Sequence, residues 1–329
     1  MHLPVLPSRD QMTRSGTLRR TLFGILYGCA IVAGHSATAQ VKMTKDQMIF
    51  YTSEWKGERF PDGRPKISDS LLDRALSVTI EDVWGYLRER GYNCQYEGNW
   101  QALHMDKPMA GRALTAQYMP ARPDMVSAIT AEGKKENRLG GNNMWPINEL
   151  HVGDVYVADG FGKIVEGTLI GSNLGSGIAA HSHTGFVFDA GIRDVEENKE
   201  IANMNGFYRQ GDPSAWKDMT LTSINAPIRI GRATVLPGDL VLAKADGIIF
   251  IPAYLAEGAI VNAEFTKLED AYNFDLNSSG KNGAEFEGGW TPAKYDALSK
   301  WIDAHPEKLK MSKEEFNQEL ARRKAPRRK

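Results

Sequence analysis

The segment 171–194 constrains the fold of this chain more than any other. Its sequence, GSNLGSGIAAHSHTGFVFDAGIRD, contains a glycine-rich corner, a stretch of small residues with helical character, and a short apolar strand. This order is typical of a βαβ-like unit and indicates a protein of the α/β class. The turn after the apolar strand brings Arg193 and Asp194 side by side.

Each end of this segment carries groups that bind charged ligands. Backbone N–H groups at a glycine-rich helix start bind a carboxylate or phosphate without any side chain. Arg193 can hold a carboxylate through two parallel hydrogen bonds, and Asp194 is a hard oxygen ligand of the kind that Mg²⁺ prefers. The alternative is that these two residues form a surface ion pair and that the glycines serve only tight packing. The candidate substrate-binding residues are Gly171, Ser172, Asn173, Leu174 and Arg193.

Charge and motifs argue against several classes of protein. The formal net charge is −1 at pH 7, so no nucleic-acid partner is expected. The sequence has no Walker A loop, no G-x-G-x-x-G after a strand and no H-E-x-x-H motif, so it does not indicate a nucleotide-binding fold or a zinc peptidase. Of its two cysteines, only Cys94 lies outside the N-terminal region, and we interpret it as a buried or unreactive thiol.

Residues 1–39 are similar to a secretory signal peptide. Arginines precede an apolar run at 21–34, and an Ala-Thr-Ala cleavage site stands directly before Gln40. The apolar run is too short to span a bilayer, so we expect no stable membrane insertion after cleavage. The mature protein is therefore predicted to be periplasmic or secreted. The alternative is a lipoprotein site at Cys29.

The rest of the chain divides into an arm, a core and an extension. Residues 40–66 are polar, with glycine and proline near their end, which indicates an arm or linker and a folded body that starts at Ser68. Residues 67–272 form the predicted core with a helical N-terminal entry, and residues 273–329 a helical extension with a basic tail. Gly153-Asp154 and Gly238-Asp239 each precede a β run. Two such units predict a swivelling β/β/α layout.

Three histidines are of a residue type that often binds metals or transfers protons. His181 and His183 are the rival metal candidates, but on a helix their side chains point roughly 200° apart, which does not suit a shared ion. We expect both near the end of the helix, at the surface or an interface. His151, just before the first of the two β runs, is interpreted as a structural hydrogen-bonding residue.

Five pieces in consistent order and spacing resemble a known family. They are GDVYVADG at 153–160, the G-x-N-L corner at 171–174, DAGIRDVEE at 189–197, ATVLPGDLVLAKADGIIFIP at 233–252 and the acidic helix that follows. Over residues 67–272 the chain resembles the RraA-like family, which takes in regulators of ribonuclease E activity and class II 4-hydroxy-4-methyl-2-oxoglutarate/oxaloacetate aldolases. The resemblance implies an RraA-like swivelling core assembled as a homotrimer or hexamer.

The resemblance also implies roles for individual residues. Asp194 would anchor a divalent metal, Mg²⁺ or Mn²⁺, and Arg193 would bind a small carboxylated substrate. Ser172 stands where family aldolases keep an acidic residue that assists proton transfer. Glu264 or Glu269 would reach a neighbouring subunit's site, the alternative being a solvated helix face.

These implications lead to two functional hypotheses. The first is an exported, metal-dependent lyase that cleaves a 2-oxo acid or related carboxylated molecule by a retro-aldol reaction or decarboxylation. Because Ser172 replaces the acidic residue, decarboxylation is favoured over the retro-aldol reaction. The alternative is a non-catalytic binding or regulatory protein.

We predict that the mature protein begins near Gln40 and is found outside the cytoplasm. Since signal peptidase cleaves after a small-residue site, N-terminal sequencing of protein from the periplasm or medium is expected to start at or close to Gln40. Cytosolic protein that retains residues 1–39 would contradict this prediction.

Overall fold

A mixed sheet of nine strands, counted over the described residues, forms the centre of the molecule. The computed structural model describes residues 41–280 and 289–325, so the predicted signal at 1–39 and the end of the basic tail lie outside the described residues. The strands in these ranges are β1 Tyr96–Glu97, β2 Gln101–Ala102, β3 Met109–Pro120, β4 Asp154–Asp159, β5 Gly185–Ile192, β6 Asn205–Gly211, β7 Met219–Ile224, β8 Ile228–Ile230, β9 Ala233–Val235, β10 Leu240–Lys244 and β11 Gly247–Ile251.

Parallel pairing is confined to the middle of the sheet. The strand order is β1-β11-β10-β3-β4-β5-β6-β2, and the neighbours from β3 to β6 are parallel. The outer strands pair antiparallel, β7 pairs with β3, and β8 and β9 form a separate hairpin. The carboxyl ends of β4 and β5 therefore meet at one sheet edge, which is where open α/β sheets bind ligands.

Helices lie at both ends of the described chain and after the central strands. They are α1 Lys45–Tyr51, α2 Asp69–Ala75, α3 Ile80–Arg88, α4 Pro123–Lys135, α5 Ser172–Ser182, α6 Val195–Lys199, α7 Ala256–Ser278, α8 Pro292–Ala304 and α9 Lys313–Lys324. Within the described ranges, no helix is both long and apolar enough to cross a bilayer. The mixed α/β architecture with helical N- and C-terminal regions is the predicted one.

Successive side chains of the central strands belong to different hydrophobic cores, one on each face of the sheet. On β4, Val155 and Val157 belong to a core closed by the β8–β9 hairpin. Tyr156 and Ala158 point to the other face, where α5 packs. A further core lies between β10–β11 and the helices α2, α3 and α7. The two-residue period of a strand thus builds a layer on each face of the sheet.

The two Gly-Asp turns have the same backbone geometry. Gly153 and Gly238 have φ values of 84° and 85°, a region that glycine adopts without steric cost. In each turn the aspartate Oδ2 accepts the N–H of the residue three positions earlier, at 2.8 Å. The predicted similarity of the two units therefore extends to the hydrogen bond that closes each turn.

The electrostatic surroundings of these two aspartates differ. Asp154 is fully buried and pairs with the equally buried Arg64 at 2.7 Å and with Arg112 at 3.4 Å. Burial would raise the pKa of Asp154, but the charge of Arg64 and bonds from Arg64 and His151 hold it below its usual value. Asp239 has no ion-pair partner among the described residues. Burial raises its pKa to about 7, although two backbone hydrogen bonds act to lower it.

Residues 41–66 are part of the folded body. Helix α1 starts at a capping box in which Thr44 and Gln47 bind each other's backbone N–H, and the Met48 side chain is fully buried. Val41 is also buried, and Arg64 reaches Asp154 in the core. The interpretation of this segment as a linker, with a folded body starting at Ser68, is therefore wrong.

The C-terminal extension packs on α7. Phe265 and Leu268 of α7 share a core with Leu298 and Ile302 of α8 and with Phe316 of α9. The predicted capping box at the start of α9 is present, since Ser312 accepts the Glu315 N–H and Glu315 accepts the Ser312 N–H. These contacts bury one long side of α7.

Three polar side chains differ from their expected surroundings. Glu264 is buried and accepts two hydrogen bonds from Arg74. Glu269 is buried and bound by Tyr295 and Arg323. Neither carboxylate lies on a solvated helix face, and both are engaged within the chain rather than free to reach a neighbour. Cys94 is exposed, so of its two interpretations the buried thiol is wrong and the unreactive thiol stays a prediction.

We predict that Asp154→Asn lowers the free energy of unfolding by about 3–5 kcal/mol, because it leaves the buried Arg64 without a counterion and Arg112 with only the exposed carboxylate of Asp69. Urea denaturation at pH 7 measures the loss. The stabilisation by Asp154 is present above about pH 4 and is lost as pH falls through its lowered pKa, so the variant and the native protein should converge in acid.

Asp124→Asn is the matched control. Asp124 also pairs with an arginine, Arg122 at 2.7 Å, but both side chains are largely exposed. Its substitution should leave the denaturation midpoint nearly unchanged. Equal losses in the two variants would contradict a special role for the buried pair.

Candidate functional site

Arg193 and Asp194 lie directly beyond the carboxyl end of β5. Every residue of β5 is buried, so the chain first reaches the surface where the strand ends. Asp194 adopts a left-handed conformation with φ 55° and forms the N-cap position of α6. Aspartate tolerates this conformation better than most residues, because its short side chain bonds locally. The side chain is thereby directed across the edge of the sheet to the start of α5.

Gly171 and Asp194 form the contact that joins the two halves of the site. Gly171 is the N-cap of α5 and offers no side chain to cap it; instead the Ser172 N–H donates to Asp194 Oδ2 at 3.1 Å. A methyl group on Gly171 would overlap the Asp194 carboxylate. Glycine is required at this corner because the carboxylate occupies the space of a side chain. The predicted proximity of the glycine-rich corner and the Arg193-Asp194 pair is therefore confirmed.

Asn198 holds the backbone of the Arg193-Asp194 pair. It is fully buried, and its Nδ2 donates to the carbonyl oxygens of Arg193 at 3.0 Å and Asp194 at 2.8 Å. A side chain on Gly175 of α5 would overlap the Asn198 amide. Sequence reasoning missed Asn198, because an asparagine in a polar helix gives no signal of burial. Its position four residues after Asp194 is the spacing of one helical turn.

The Arg193 and Asp194 side chains are near each other but loosely paired. Arg193 Nη1 lies 4.0 Å from Asp194 Oδ1, and the two side chains are 45% and 33% exposed. A pair at this distance and exposure contributes little to stability. The structure thus shows the ion pair of the alternative interpretation in a loose form. Both charged groups remain accessible to a ligand.

Asp194 is the candidate metal ligand at this edge. In the described ranges, no group of three or more His, Cys, Asp or Glu side chains is arranged to hold a metal ion. The donor set nevertheless fits Mg²⁺, which keeps several waters and is often bound through one or two carboxylates. Asp194 Oδ2 accepts one backbone N–H, while Oδ1 faces Arg193 and solvent.

The two rival histidines lie at the far end of α5. His181 and His183 are exposed, and His183 ends the helix with φ 54°. A helix of 11 residues is about 16 Å long, so neither ring shares the site of Asp194. Their expected position, at the surface near the helix end, is confirmed. His151 is confirmed as a structural residue, since it stacks on Phe60 and its Nδ1 lies 3.1 Å from Arg64 Nη2.

A cleft of about 710 Å³ lies at the opposite sheet edge and is not the candidate site. His183 and Thr184, which precede β5, line it together with Lys107 and Asp73. His183 and Thr184 lie about 26 Å from Asp194, at the other end of the eight residues of β5, and the rim of the cleft also includes Lys199 at the end of α6. Although this cleft is large, we assign the candidate site to the other edge, because charged side chains and helix N–H groups converge there.

Comparison with known proteins decides the family. Residues 65–250 match the family model described as RraA-like: Aldolase/RraA, which covers more than half of the chain. The chain belongs to the RraA-like family. The predicted resemblance is thereby confirmed, and the matched range contains both Gly-Asp turns and the Gly171–Asp194 contact.

Individual relatives are distant. A protein of Halalkalibacterium halodurans, provisionally named 4-hydroxy-4-methyl-2-oxoglutarate aldolase, is 33% identical over 126 residues, which are 37% of this chain and 57% of that protein. The chain thus spans little more than half the length of this curated relative.

Two solved structures show the same fold. The Streptomyces coelicolor protein RraAS2, described as an unusual member of the RNase ES inhibitor RraA family, has a TM-score of 0.52 at 22% identity, covering 67% of this chain and 98% of its own. An uncharacterized protein of Pseudomonas syringae has a TM-score of 0.52 at 20% identity, covering 68% and 95%. At these identities the similarity concerns the fold alone.

We predict that Gly171→Ala disrupts the site. The added methyl group must displace the Asp194 carboxylate, which should lower the free energy of unfolding by about 1–3 kcal/mol. Gly177→Ala is the control in the same helix, because the nearest atom to its added methyl is Ile147 Cγ2 at 3.5 Å. That control should be neutral or stabilising by up to about 1 kcal/mol. Urea denaturation of both variants measures the difference, and equal stabilities would refute the contact.

Proposed function

We propose that this protein is an exported, divalent-metal-dependent lyase that cleaves a carbon–carbon bond in a 2-oxo acid or related carboxylated molecule. The observation that carries the proposal is the placement of Asp194. Its carboxylate is fixed at the start of α5 by the Ser172 N–H, within 4.0 Å of the exposed Arg193 guanidinium. Membership of a family that includes an aldolase-named relative supports the same reaction class.

Asp194 would hold Mg²⁺ or Mn²⁺, with water completing the coordination. When bound, such an ion supplies a Lewis acid that stabilises negative charge on the 2-oxo oxygen of the substrate. Glu196 and Glu197 follow in the first turn of α6 and add negative charge near the site. This charge offsets the positive ends of the helices α5 and α6, which by themselves disfavour a cation.

Arg193 would bind and orient the substrate. Its planar guanidinium presents parallel N–H donors that match a carboxylate, and nearly half of the side chain is exposed. A positive charge held at this distance from Asp194 also stabilises the negative charge that develops when the carbon–carbon bond breaks. Arg193 therefore serves both binding and charge stabilisation.

The first turn of α5 would bind a second anionic group of the substrate. The first N–H groups of a helix have no acceptor within the helix. Because Asp194 takes the Ser172 N–H, the N–H groups of Asn173 and Leu174 are the ones left to hold a carboxylate. The substrate would thus lie between the corner at Gly171 and the Arg193 side chain.

Ser172 determines which cleavage is favoured. A retro-aldol reaction removes a proton from a hydroxyl group, and family aldolases keep an acidic residue at this position. A serine hydroxyl is a poor base, so this chain is better suited to decarboxylation, which releases carbon dioxide without that proton transfer. The resulting carbanion then takes a proton from water.

The site faces solvent in a single chain, and we propose that a homotrimer or hexamer completes it. The exposed Arg193 and Asp194 side chains lie at a sheet edge where a neighbouring subunit can exclude water. Exclusion of water strengthens each charged interaction in the site. Light scattering at micromolar concentration tests the assembly, and a monomer would contradict it.

Asp194→Ala is expected to abolish Mg²⁺ binding, because it removes the carboxylate that would anchor the ion. Isothermal titration calorimetry with MgCl₂ measures the effect. Asp124→Ala is the control, since this carboxylate is largely exposed and pairs with Arg122 outside the site. Unchanged Mg²⁺ affinity in Asp194→Ala would refute the metal site.

Arg193→Lys is expected to keep the fold and the metal but to lower kcat/KM roughly 30- to 1000-fold, because an ammonium group cannot reproduce the two-pronged contact. Pyruvate release from 2-oxo acid substrates, with Mg²⁺ or after EDTA treatment, is the assay. Arg122→Lys is the control on an exposed pair. If no oxo acid gives a release of pyruvate that EDTA abolishes, the regulatory alternative is favoured.

Ser172→Asp tests which reaction the site performs. The added carboxylate lies at the start of α5, where negative charge is stabilising, so the fold should be kept. If the chain is an aldolase that lost its proton-transfer group, the variant should gain retro-aldol turnover. Decarboxylation is expected to stay constant or fall, and a gain in decarboxylation alone would contradict the role assigned to Ser172.

A further inference from the structure

A second concavity lies between the N-terminal segment and the second Gly-Asp turn. It is a pocket of about 190 Å³, smaller than the several hundred Å³ typical of drug-sized ligands. Four of its side chains are aromatic, and its charged side chains are carboxylates. These are Tyr51, Trp55, Tyr92, Tyr254, Glu54 and Asp239.

The walls come from segments far apart in the sequence. Tyr51, Glu54 and Trp55 belong to the end of α1 and the residues after it, whereas Tyr92 and Tyr254 flank the sheet. The hydroxyl groups of Tyr92 and Tyr254 are hydrogen-bonded at 2.7 Å, which fixes two rings next to each other. The pocket therefore exists only because residues 41–66 fold onto the core.

Among the residues that the structure describes, none forms an ion pair with the carboxylate of Asp239, unlike its structural equivalent Asp154. In the first Gly-Asp turn, Arg64 and Arg112 neutralise Asp154. In the second turn, the Asp239 carboxylate accepts the N–H groups of Leu236 and Ala253, both from the backbone. An ionised carboxylate in such a buried position is costly unless a positive charge lies nearby. The space beside Asp239 is the pocket.

We propose that this pocket binds a small organic cation of the alkylammonium type, which supplies the positive charge that Asp239 lacks. Aromatic rings attract such cations through their electron-rich faces, and rings grouped around a small pocket are the usual means of recognising quaternary ammonium groups. Glu54 at the rim adds a second negative charge. No lysine or arginine is among the described residues that line the pocket, so no basic side chain competes for the site.

The charged and titratable groups around Asp239 predict how binding depends on pH. Burial raises the pKa of Asp239 to about 7, while burial and the bond to Tyr254 raise the pKa of Tyr92 to about 12. Arg59 lies behind Thr52 and bonds its hydroxyl and carbonyl oxygens, each at 2.7 Å. The other titratable side chains that line the pocket are Tyr51, Tyr254 and Glu54. Between pH 6 and 8, Asp239 is therefore the group whose charge changes most.

The experiment is a calorimetric titration of the full mature chain with choline chloride. The neutral molecule 3,3-dimethylbutan-1-ol, which has the shape of choline without its charge, is titrated in parallel. Choline should bind saturably with one site per chain, and the alcohol at least roughly 10-fold more weakly. Choline affinity should fall roughly 10-fold from pH 8 to pH 6, because binding requires ionised Asp239.

Paired variants place the ligand in this pocket. Trp55→Leu should weaken choline binding roughly 2- to 30-fold, as expected for the loss of one cation–π contact. Trp84→Leu is its control on α3, outside the pocket. Glu54→Gln should weaken binding, whereas Glu58→Gln, which removes a carboxylate paired with Lys66 at 2.8 Å, should not. Circular dichroism confirms that each variant is folded.

Four results would overturn the proposal. The first two are the absence of saturable choline binding up to about 100 mM and equal affinities for choline and the neutral alcohol. The other two are a choline affinity that does not change between pH 6 and 8 and equal effects of the pocket variants and their controls. None of these results bears on the lyase site, because Asp194 and Arg193 lie at the carboxyl end of β5 and do not line this pocket.

Discussion

The buried carboxylate of Asp154 is the interaction on which the arrangement of the sheet depends. It binds Arg64 from the N-terminal segment and Arg112 from β3, while Asp154 itself starts β4. Arg112 in turn donates to the Ile67 carbonyl, so the entry to α2 is held at the same point. Removing three charges from water is costly, and their mutual attraction offsets this only in one geometry. The network thereby specifies how the N-terminal segment and the two central strands are aligned.

The same turn, used twice, serves two different purposes. Around Asp154 the chain supplies its own cations, and the turn becomes a rigid junction. Around Asp239 it supplies only backbone N–H groups and leaves an aromatic pocket beside the carboxylate. Identical backbone geometry therefore does not imply an identical role, since the difference lies in residues contributed from elsewhere. The N-terminal segment provides that difference at both turns, through Arg64 at one and Trp55 at the other.

Local patterns are sufficient to predict the core of the fold and the contact between Gly171 and Asp194. Gly171 and Asp194 are 23 residues apart, but one helix and one strand connect them, so the sequence pattern already implies that they meet. Long-range burial was not predictable in the same way. Residues 41–66 are polar in composition, yet Arg64 and Met48 are buried because their partners lie in distant segments. The burial of Glu264 and Glu269 is hidden in the sequence for the same reason, since their partners Arg74 and Arg323 are remote in sequence.

The two ends of the central sheet have a further consequence. The strands at the two ends of its main path, β1 and β2, each contain only two residues. A long open edge presents unpaired N–H and C=O groups to which another chain can add a strand, and this is a common route to aggregation. At these two ends the row of unpaired groups on the edge strand is too short for such an addition. Copies of this chain that associate at either end must therefore do so through the side chains of helices and loops.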